Sequence, residues 1–415
     1  MKIAILTIGN ELMSGRTADT NSSFIAREAN LQGWQVEAML SVGDDFAAIK
    51  SRLDYLLPLA DVIICTGGLG PTTDDITTEA IARAFGRSLF TDEKSLNYIK
   101  DLFARRNFAW VENNTKQAIF PEGAEIIPNT MGTAPGFALK VNAKWIFVIP
   151  GVPRESQIMF PRGVIPILQR EFPEKEQFIA KQTIKTFGLG ESAVDKALSD
   201  VDFNALGVNI GFYPIFPENH IVLVSRKKTA EEAQEKLKLA ANEVTTRLGK
   251  YIFAYGEETL EAIAGKLLKE KKLTIAVAES CTGGLITSRL TDVPGSSEYL
   301  ERAAVTYSNA AKVSLLGVPA GIIEKHGAVS EETARLMAEG VRKMAGTNLG
   351  LSSTGIAGPD GGSAEKPVGT VYLAVSDGKE TICRRYVYKW DRKRNKLIFS
   401  QAALLLLKNY LEGKR

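Results

Sequence analysis

The sequence predicts an α/β protein built from more than one domain, on three observations. Apolar runs of strand length alternate with amphipathic stretches of helix length. The runs end in short loops rich in glycine, acid and hydroxyl side chains, and 415 residues are too many for one core. Residues 2–8 read as a buried strand, 21–31 as a helix stopped by Gly33, 35–42 as a strand, 46–57 as a helix and 61–66 as a second buried strand. Such alternation implies a parallel sheet covered on both faces, with ligands at the carboxyl ends of its strands. Those ends carry Gly9-Asn10-Glu11, Val42-Gly43-Asp44-Asp45 and Thr66-Gly67-Gly68-Leu69-Gly70-Pro71-Thr72-Thr73-Asp74-Asp75, the last leading into a helix over 76–85. Later loops are Asn113-Asn114-Thr115, Gly132-Thr133-Ala134-Pro135-Gly136 and Pro150-Gly151-Val152-Pro153-Arg154-Glu155.

Residues 161–177, with Pro161, Pro166, Pro173 and a charged run, read as a connector. Beyond it the order becomes strand (to 187), helix (191–198), two alternating strands (208–213 and 220–225) and a long helix (230–248), a small α+β module. The order suits a KH-like fold, but no Gly-x-x-Gly loop with basic flanks stands between its helices, which leaves a spacer or dimerisation role. The remainder is again α/β. It comprises a helix over 260–270, an apolar run at 273–277 that stops at Ala278-Glu279-Ser280-Cys281-Thr282-Gly283-Gly284, and a helix from 285. A strand at 303–307, a helix over 331–344, a strand at 349–353, strands at 369–375 and 381–388, and a closing helix over 393–411 complete it.

Composition narrows the chemistry. A net charge of +3 with no basic stripe argues against a dedicated nucleic-acid binder. The opening apolar run is too short for a signal peptide or a membrane span, so a cytoplasmic location and no membrane partner are expected. Cys65, Cys281 and Cys383 are too scattered for a disulfide framework or a zinc site. With only His220 and His326 present, a catalytic base is expected to be Lys, Asp or Glu.

Ser280 sits where a strand turns into a helix, a place that presents a hydroxyl among backbone N–H groups. A serine needs a base to become a nucleophile, and Lys312, just past a neighbouring strand end and near Tyr307 and Asn309, is the candidate, with the amides of Cys281, Thr282 and Gly283 as oxyanion donors. Against this stand two readings: Ser280 caps the next helix while Lys312 is solvated, or Cys281 is the nucleophile. A second glycine-rich loop, Thr354 to Gly362, follows a buried strand and faces the same edge. In the first domain the Gly67–Asp75 loop suits close approach of a phosphate, and Asp74 with Asp75 can hold a divalent cation through hard oxygen ligands. Glu11 and Asp44 are placed to converge there, and the plainer readings are a helix cap for the Asp pair and solvated carboxylates for the others.

Across the whole chain these motifs resemble the CinA (competence/damage-inducible protein A) family. Thr66 to Asp75, Gly9 to Glu11 and Pro150 to Glu155 resemble its molybdopterin-binding-type domain; Ala278 to Gly284, Thr306-Tyr307-Ser308-Asn309 and Gly355 to Gly362 resemble its nicotinamide-mononucleotide deamidase domain. The resemblance implies an N-terminal molybdopterin-binding-type parallel-sheet domain (1–165), a KH-like α+β middle domain (178–252) and a C-terminal α/β deamidase domain (255–415). It implies deamidation of nicotinamide mononucleotide to nicotinate mononucleotide and ammonia, with Ser280 as nucleophile, Lys312 as base and Tyr307 supporting them, and no cofactor. Cys281, Thr282, Gly283, Asn309, Thr354, Gly355, Ala357 and Gly358 are expected around the substrate, with Arg392 on its phosphate. For the N-terminal domain it implies hydrolysis of ADP-ribose to AMP and ribose 5-phosphate. The ligand there would meet Asn10, Glu11, Asp44, Gly67, Gly68, Gly70, Pro71, Thr72 and Glu155, with Asp74 and Asp75 on a divalent metal, Mg2+ or Co2+, and K+ as a further ion. A homodimer is implied as well. Two alternatives stand beside this: a pterin- or nucleotide-binding N-terminal module without hydrolysis, and a competence or DNA-damage interaction factor.

Overall fold

A computed structural model describes residues 1–173 and 178–414; the charged end of the expected connector, 174–177, and Arg415 lie outside the described residues. The described chain forms two compact units, residues 1–181 with 225–235 and residues 182–224 with 236–415. Among the described residues no helix is long and apolar enough to cross a membrane.

The first unit is built on β1 (Lys2–Ile8), β2 (Gln35–Val42), β3 (Val62–Thr66), β4 (Leu89–Thr91), β5 (Ile119–Pro121), β6 (Glu125–Ile127), β7 (Gly136–Val141) and β8 (Lys144–Ile149). Six of these make one sheet in the order β2-β1-β3-β8-β7-β6, parallel through β8 and antiparallel beyond it. Successive side chains of a strand point to opposite faces, so the apolar runs feed two cores. Ala4, Leu6, Ile63, Cys65, Ile146 and Val148 enter one, and Ile3, Ile5, Val62, Ile64, Phe147 and Ile149 the other. The described part of the expected connector, 161–173, is instead largely helical, over Phe160–Val164 and Ile165–Glu171, directly after the helix Pro153–Met159. Phe160, Val164, Ile165, Ile167 and Leu168 bury against the second core, and that packing holds a helix through two prolines placed in its first turns.

The KH-like module carries β9 (Phe178–Thr186), β10 (Val208–Ile215), β11 (Glu218–Lys227) and β12 (Ile252–Tyr255), in the order β10-β11-β9-β12. Helices Glu191–Leu198 and Ala230–Leu248 match the residues that periodicity predicts. β12, absent from the sequence expectation, closes the sheet by antiparallel pairing with β9.

The last sheet has the order β14-β13-β15-β16-β17, from β13 (Ile275–Glu279), β14 (Leu300–Val305), β15 (Leu349–Gly355), β16 (Thr370–Ser376) and β17 (Thr381–Val387). β14, β13 and β15 are parallel, while β16 and β17 run antiparallel. The closing helix Arg392–Leu411 and the helix Leu260–Glu270 cover one face through Phe399, Ala403, Leu407, Leu260 and Leu268. The helix Glu331–Ala345 covers the other so closely that a Cβ at Gly350 would run into the carbonyl oxygen of Ala338. Gly350→Ala is therefore an overpacking change, expected to cost about 1–3 kcal/mol; a urea midpoint equal to that of the parent chain would contradict the close approach.

Candidate functional sites at the strand ends

β13 ends at Glu279, whose register partners are Val305 on β14 and Ser353 on β15. The next residue is pinned on both sides: the N–H of Ser280 donates to Ser353 O at 3.0 Å, and the N–H of Thr306 donates to Glu279 O at 2.8 Å. The chain then turns through Cys281 to Gly284 into the helix Leu285–Thr291. Glu279 is 0% exposed, and its carboxylate accepts from the N–H of Gly284 (3.0 Å), Ile286 (3.1 Å) and Thr287 (2.9 Å) and from the Thr287 hydroxyl (2.6 Å). A carboxylate at a helix N-terminus satisfies both the unpaired donors and the helix dipole. Glu279, and not Ser280, thus ties off the helix start, and the capping reading of Ser280 is set aside. The point is also buried rather than exposed, with Ser280 only 7% accessible.

Lys312 is not solvated either. It is 1% exposed on the helix Asn309–Leu316, and its Nζ stands 2.8 Å from Thr306 O, 3.2 Å from Tyr307 O and 3.1 Å from Ser280 Oγ. Two carbonyls therefore take two N–H groups, and the third direction of the nitrogen faces the serine hydroxyl. Burial lowers the Lys312 pKa, because the charged amine loses its water; the neighbouring Cys281 raises it to a lesser degree. Burial pushes the Cys281 thiol up to about 12, with Glu279 adding to the shift, so this sulfur stays protonated at neutral pH and is a poor rival nucleophile.

These groups open on a cleft of about 260 Å3 lined by Ser280, Cys281, Tyr307, Lys312, Thr354, Gly355, Ala357, Gly358 and Arg392, all expected from the sequence, together with Ala328, Val329, Ile356, Asp360 and Gly361. Three expected residues are not in the lining. The Thr282 hydroxyl is buried against Ser353 Oγ at 2.7 Å, the Gly283 N–H is spent on Ser280 O at 3.2 Å, and Asn309 sits at the outward start of its helix. Of the amides of this turn, with Gly284 spent on the Glu279 carboxylate, only those of Cys281 and Thr282, which lie beside the Cys281 sulfur, have no oxygen acceptor among the described residues. Tyr307 meets Lys312 through its carbonyl, whereas its phenol, on a 62% exposed side chain, accepts from Arg392 Nη2 at 3.0 Å. Arg392 Nη1 also donates to Gly358 O at 2.6 Å. Asn395, which sequence reasoning missed, holds the same loop by donating to Ala357 O at 3.0 Å and Trp390 O at 2.7 Å.

In the first unit the ends of β1, β3 and β8 meet at Gly67, whose φ of 108° and contact with Ile8 O leave no room for a side chain. Around it lies a larger cleft of about 540 Å3, lined by Glu11, Asp44, Gly67, Gly68, Gly70, Pro71, Asp74, Asp75 and Glu155 as expected, and by Thr17, Gln117 and Thr133, which were not. Asn10 and Thr72 stand behind it. The N–H of Asn10 donates to Asp44 Oδ2 at 2.9 Å and its side-chain oxygen accepts from Asp44 N at 3.2 Å. Thr72 donates to both acids, its N–H and hydroxyl reaching Asp75 Oδ2 at 2.9 and 2.6 Å and its hydroxyl also reaching Asp74. Neither acid caps the following helix Thr77–Ala84, whose cap position is Ile76. Glu155 is held by Asn129 Nδ2 at 2.6 Å. Burial raises the Asp44 pKa, and Glu11, Asp74 and Asp75 raise it further, while the Asn10 N–H opposes them; the Thr72 hydroxyl lowers that of Asp74. The carboxylates thus share a field that a cation or a polarised ligand would relieve, although among the described residues no three Asp, Glu, His or Cys side chains form a ready metal cluster.

Three family descriptions match the chain: "Probable molybdopterin binding domain" over residues 4–170, "Damage-inducible protein CinA KH domain" over 181–254 and "CinA C-terminal domain" over 257–411. A CinA-like protein of Syntrophus aciditrophicus is 58% identical over 412 residues, 99% of this chain and 98% of that protein. A CinA-like protein of Citrifermentans bemidjiense is 44% identical over 411 residues, again 99% and 98%. Among solved structures, the competence/damage inducible protein CihA of Agrobacterium tumefaciens is 39% identical, covering 37% of this chain and 95% of that one at a TM-score of 0.35.

The role given to Glu279 has a measurable side. Each buried donor left unpaired costs about 1–3 kcal/mol, so Glu279→Ala is expected to lower stability by at least about 3 kcal/mol in denaturant unfolding, with Ser280→Ala within about 1 kcal/mol of the parent. Equal losses in the two variants would contradict it.

Proposed function

The chain belongs to the CinA family, and from that premise we propose that its C-terminal domain deamidates nicotinamide mononucleotide and its N-terminal domain hydrolyses ADP-ribose. The observation that carries the first part is the Lys312 Nζ, 3.1 Å from Ser280 Oγ and buried without a carboxylate partner among the described residues. Burial favours the neutral amine, and a neutral amine can take the serine proton.

In the proposed reaction Ser280 Oγ attacks the carboxamide carbon as its proton passes to Lys312. The developing oxyanion faces the amides of Cys281 and Thr282, a narrower donor set than the sequence suggested because Gly283 is already engaged. Lys312 then returns the proton to the leaving nitrogen, which departs as ammonia and leaves an acyl ester on Ser280. Water, deprotonated by the same lysine, cleaves the ester to release nicotinate mononucleotide and free serine. Arg392, fixed on Gly358 O and Tyr307, is the cationic group at the cleft and the proposed partner of the substrate phosphate.

For the N-terminal cleft, the acid set Glu11, Asp44, Asp74 and Asp75 supplies hard oxygen donors that suit Mg2+ or Co2+, and Asp74 with Asp75 would hold the ion. A bound divalent ion would neutralise the pyrophosphate oxygens and polarise the phosphorus for attack. Asn10, Thr72 and Asn129 keep the acids oriented, and the amides of Gly68, Leu69 and Gly70, unlike that of Gly67, which is spent on Ile149 O, have no backbone acceptor among the described residues and can approach phosphate. The absence of a ready three-acid cluster among the described residues favours, as a second reading, a module that binds a nucleotide or pterin without cleaving it.

Purified protein given nicotinamide mononucleotide is expected to release ammonia, with Ser280→Ala reduced by roughly 10²–10⁴-fold. The active amine is the unprotonated one, so the rate should rise with pH through a Lys312 pKa lying below its ordinary 10.5; a rate that falls over that window, or survives in Ser280→Ala, rules the assignment out. ADP-ribose turnover should need Mg2+ or Co2+ and be lost in Asp75→Ala. A melting temperature raised by ADP-ribose with no AMP formed selects the binding module instead.

A further inference from the structure

An element outside the C-terminal domain packs against the closing helix at its start. The turn of the β10–β11 hairpin brings Phe216 edge-on to Trp390, with ring centroids 5.1 Å apart, and Arg394 lies over both rings, 5.5 Å from Phe216 and 5.4 Å from Trp390. Two residues further on, Glu218 Oε1 accepts from Gln401 Nε2 at 2.6 Å, and Gln401 in turn accepts from Arg289 at 2.6 Å. The hairpin is thus fastened twice to the closing helix Arg392–Leu411, at its first turn and a few turns along it.

That first turn is where the cleft wall is anchored. Asp391 caps the helix through the N–H of Arg394, at 3.0 Å. Asn395 ties Trp390 O to Ala357 O, and Arg392 grips Gly358 O and Tyr307. Trp390 is 46% exposed, and beyond the Asn395 bond to its carbonyl the ring contacts from Phe216 and Arg394 are what hold it. A T-shaped aromatic pair with a guanidinium over it resists sliding because ring quadrupole and charge both fix its geometry.

We infer that Phe216 of the KH-like module is a positioning residue for the deamidase site, holding the start of the closing helix so that Arg392 and Asn395 keep the Ala357–Gly358 loop in its binding geometry. The inference rests on the deamidase reading for its kinetic arm only. Arg392 and the loop line the side of the cleft proposed to take the nucleotide, whereas Ser280 is pinned at the end of β13 against β15 and Lys312 is held by the Thr306 and Tyr307 carbonyls just past β14. Loss of Phe216 therefore acts on binding and not on the chemical step.

The test uses the full chain with Phe216→Ala, and with Phe216→Leu as a milder variant that keeps apolar bulk without the ring. Phe216→Tyr serves as the conservative rescue. Expected are faster hydrogen exchange at the amides of residues 356–361, unchanged exchange in β13 and β15, and a KM for nicotinamide mononucleotide raised about tenfold at unchanged kcat. Phe216→Tyr should restore both. Exchange and KM equal to the parent in both loss variants would overturn the inference, as would a fall in kcat with faster exchange across the whole C-terminal sheet, the mark of a merely structural role. If the parent chain releases no ammonia, the deamidase reading fails by itself, and exchange at residues 356–361 still decides the positioning role.

Discussion

The buried carboxylate of Glu279 is the constraint on which the C-terminal cleft depends. A strand that turns into a helix leaves a fan of N–H groups at the turn, and in a dry interior each must be matched or the turn opens. Glu279 matches three of them and a hydroxyl from the last position of β13. With the helix start satisfied from below, Ser280 is released from the capping role that a serine at such a place usually fills. Its hydroxyl is then free to face Lys312. One residue's side chain thereby decides what its neighbour can do.

The two clefts use the same architecture with opposite electrostatics. In both, parallel strands end side by side, small residues let the backbone close in, and a glycine-rich loop forms the wall. In the first unit burial raises the Asp44 pKa, and the carboxylates crowded beside it raise it further. In the second a lone amine is stripped of water and its pKa falls. In both, burial disfavours the charged form of the group, and perturbed titration of this kind in a cleft marks a candidate site. Second-layer residues do the holding: Asn10 and Thr72 behind the acids, and Asn395 behind the loop that faces the amine.

Much of this was legible in the residues. Strong periodicity placed the helices Glu191–Leu198, Ala230–Leu248 and Leu260–Glu270 at their observed bounds, and the pairing of Ser280 with Lys312 followed from a shortage of histidine and from strand-end position. What failed was longer in range. The segment Phe160–Glu171 looked like a connector because its prolines are local signals, whereas the burial that makes it helical comes from distant strands. Gly283 was read as an oxyanion donor because sequence shows a donor's existence but not its partner. Glu279 and Asn395 were overlooked as site residues for a related reason: neither an acid at the end of an apolar run nor an amide within the charged stretch 391–396 says which partner it meets. Thr282 and Asn309 lie near Ser280 and Lys312 in the chain, yet their side chains face elsewhere.

The closing helix carries a further consequence, for the order in which the protein assembles. Its residues Phe399, Ala403 and Leu407 complete the core begun by Leu260 and Leu268, and its first turn anchors the loop at Ala357 and Gly358. During synthesis, therefore, Lys312 leaves the ribosome about a hundred residues before the end of the helix Arg392–Leu411 that anchors the cleft wall. Until the closing helix has been made, the helix Leu260–Glu270 covers its face of the C-terminal sheet without it. The first unit has no such debt to the last helix, since both of its cores are filled by residues before 173. It can fold while the rest is still being translated, so the two clefts come into being at different times on the same chain.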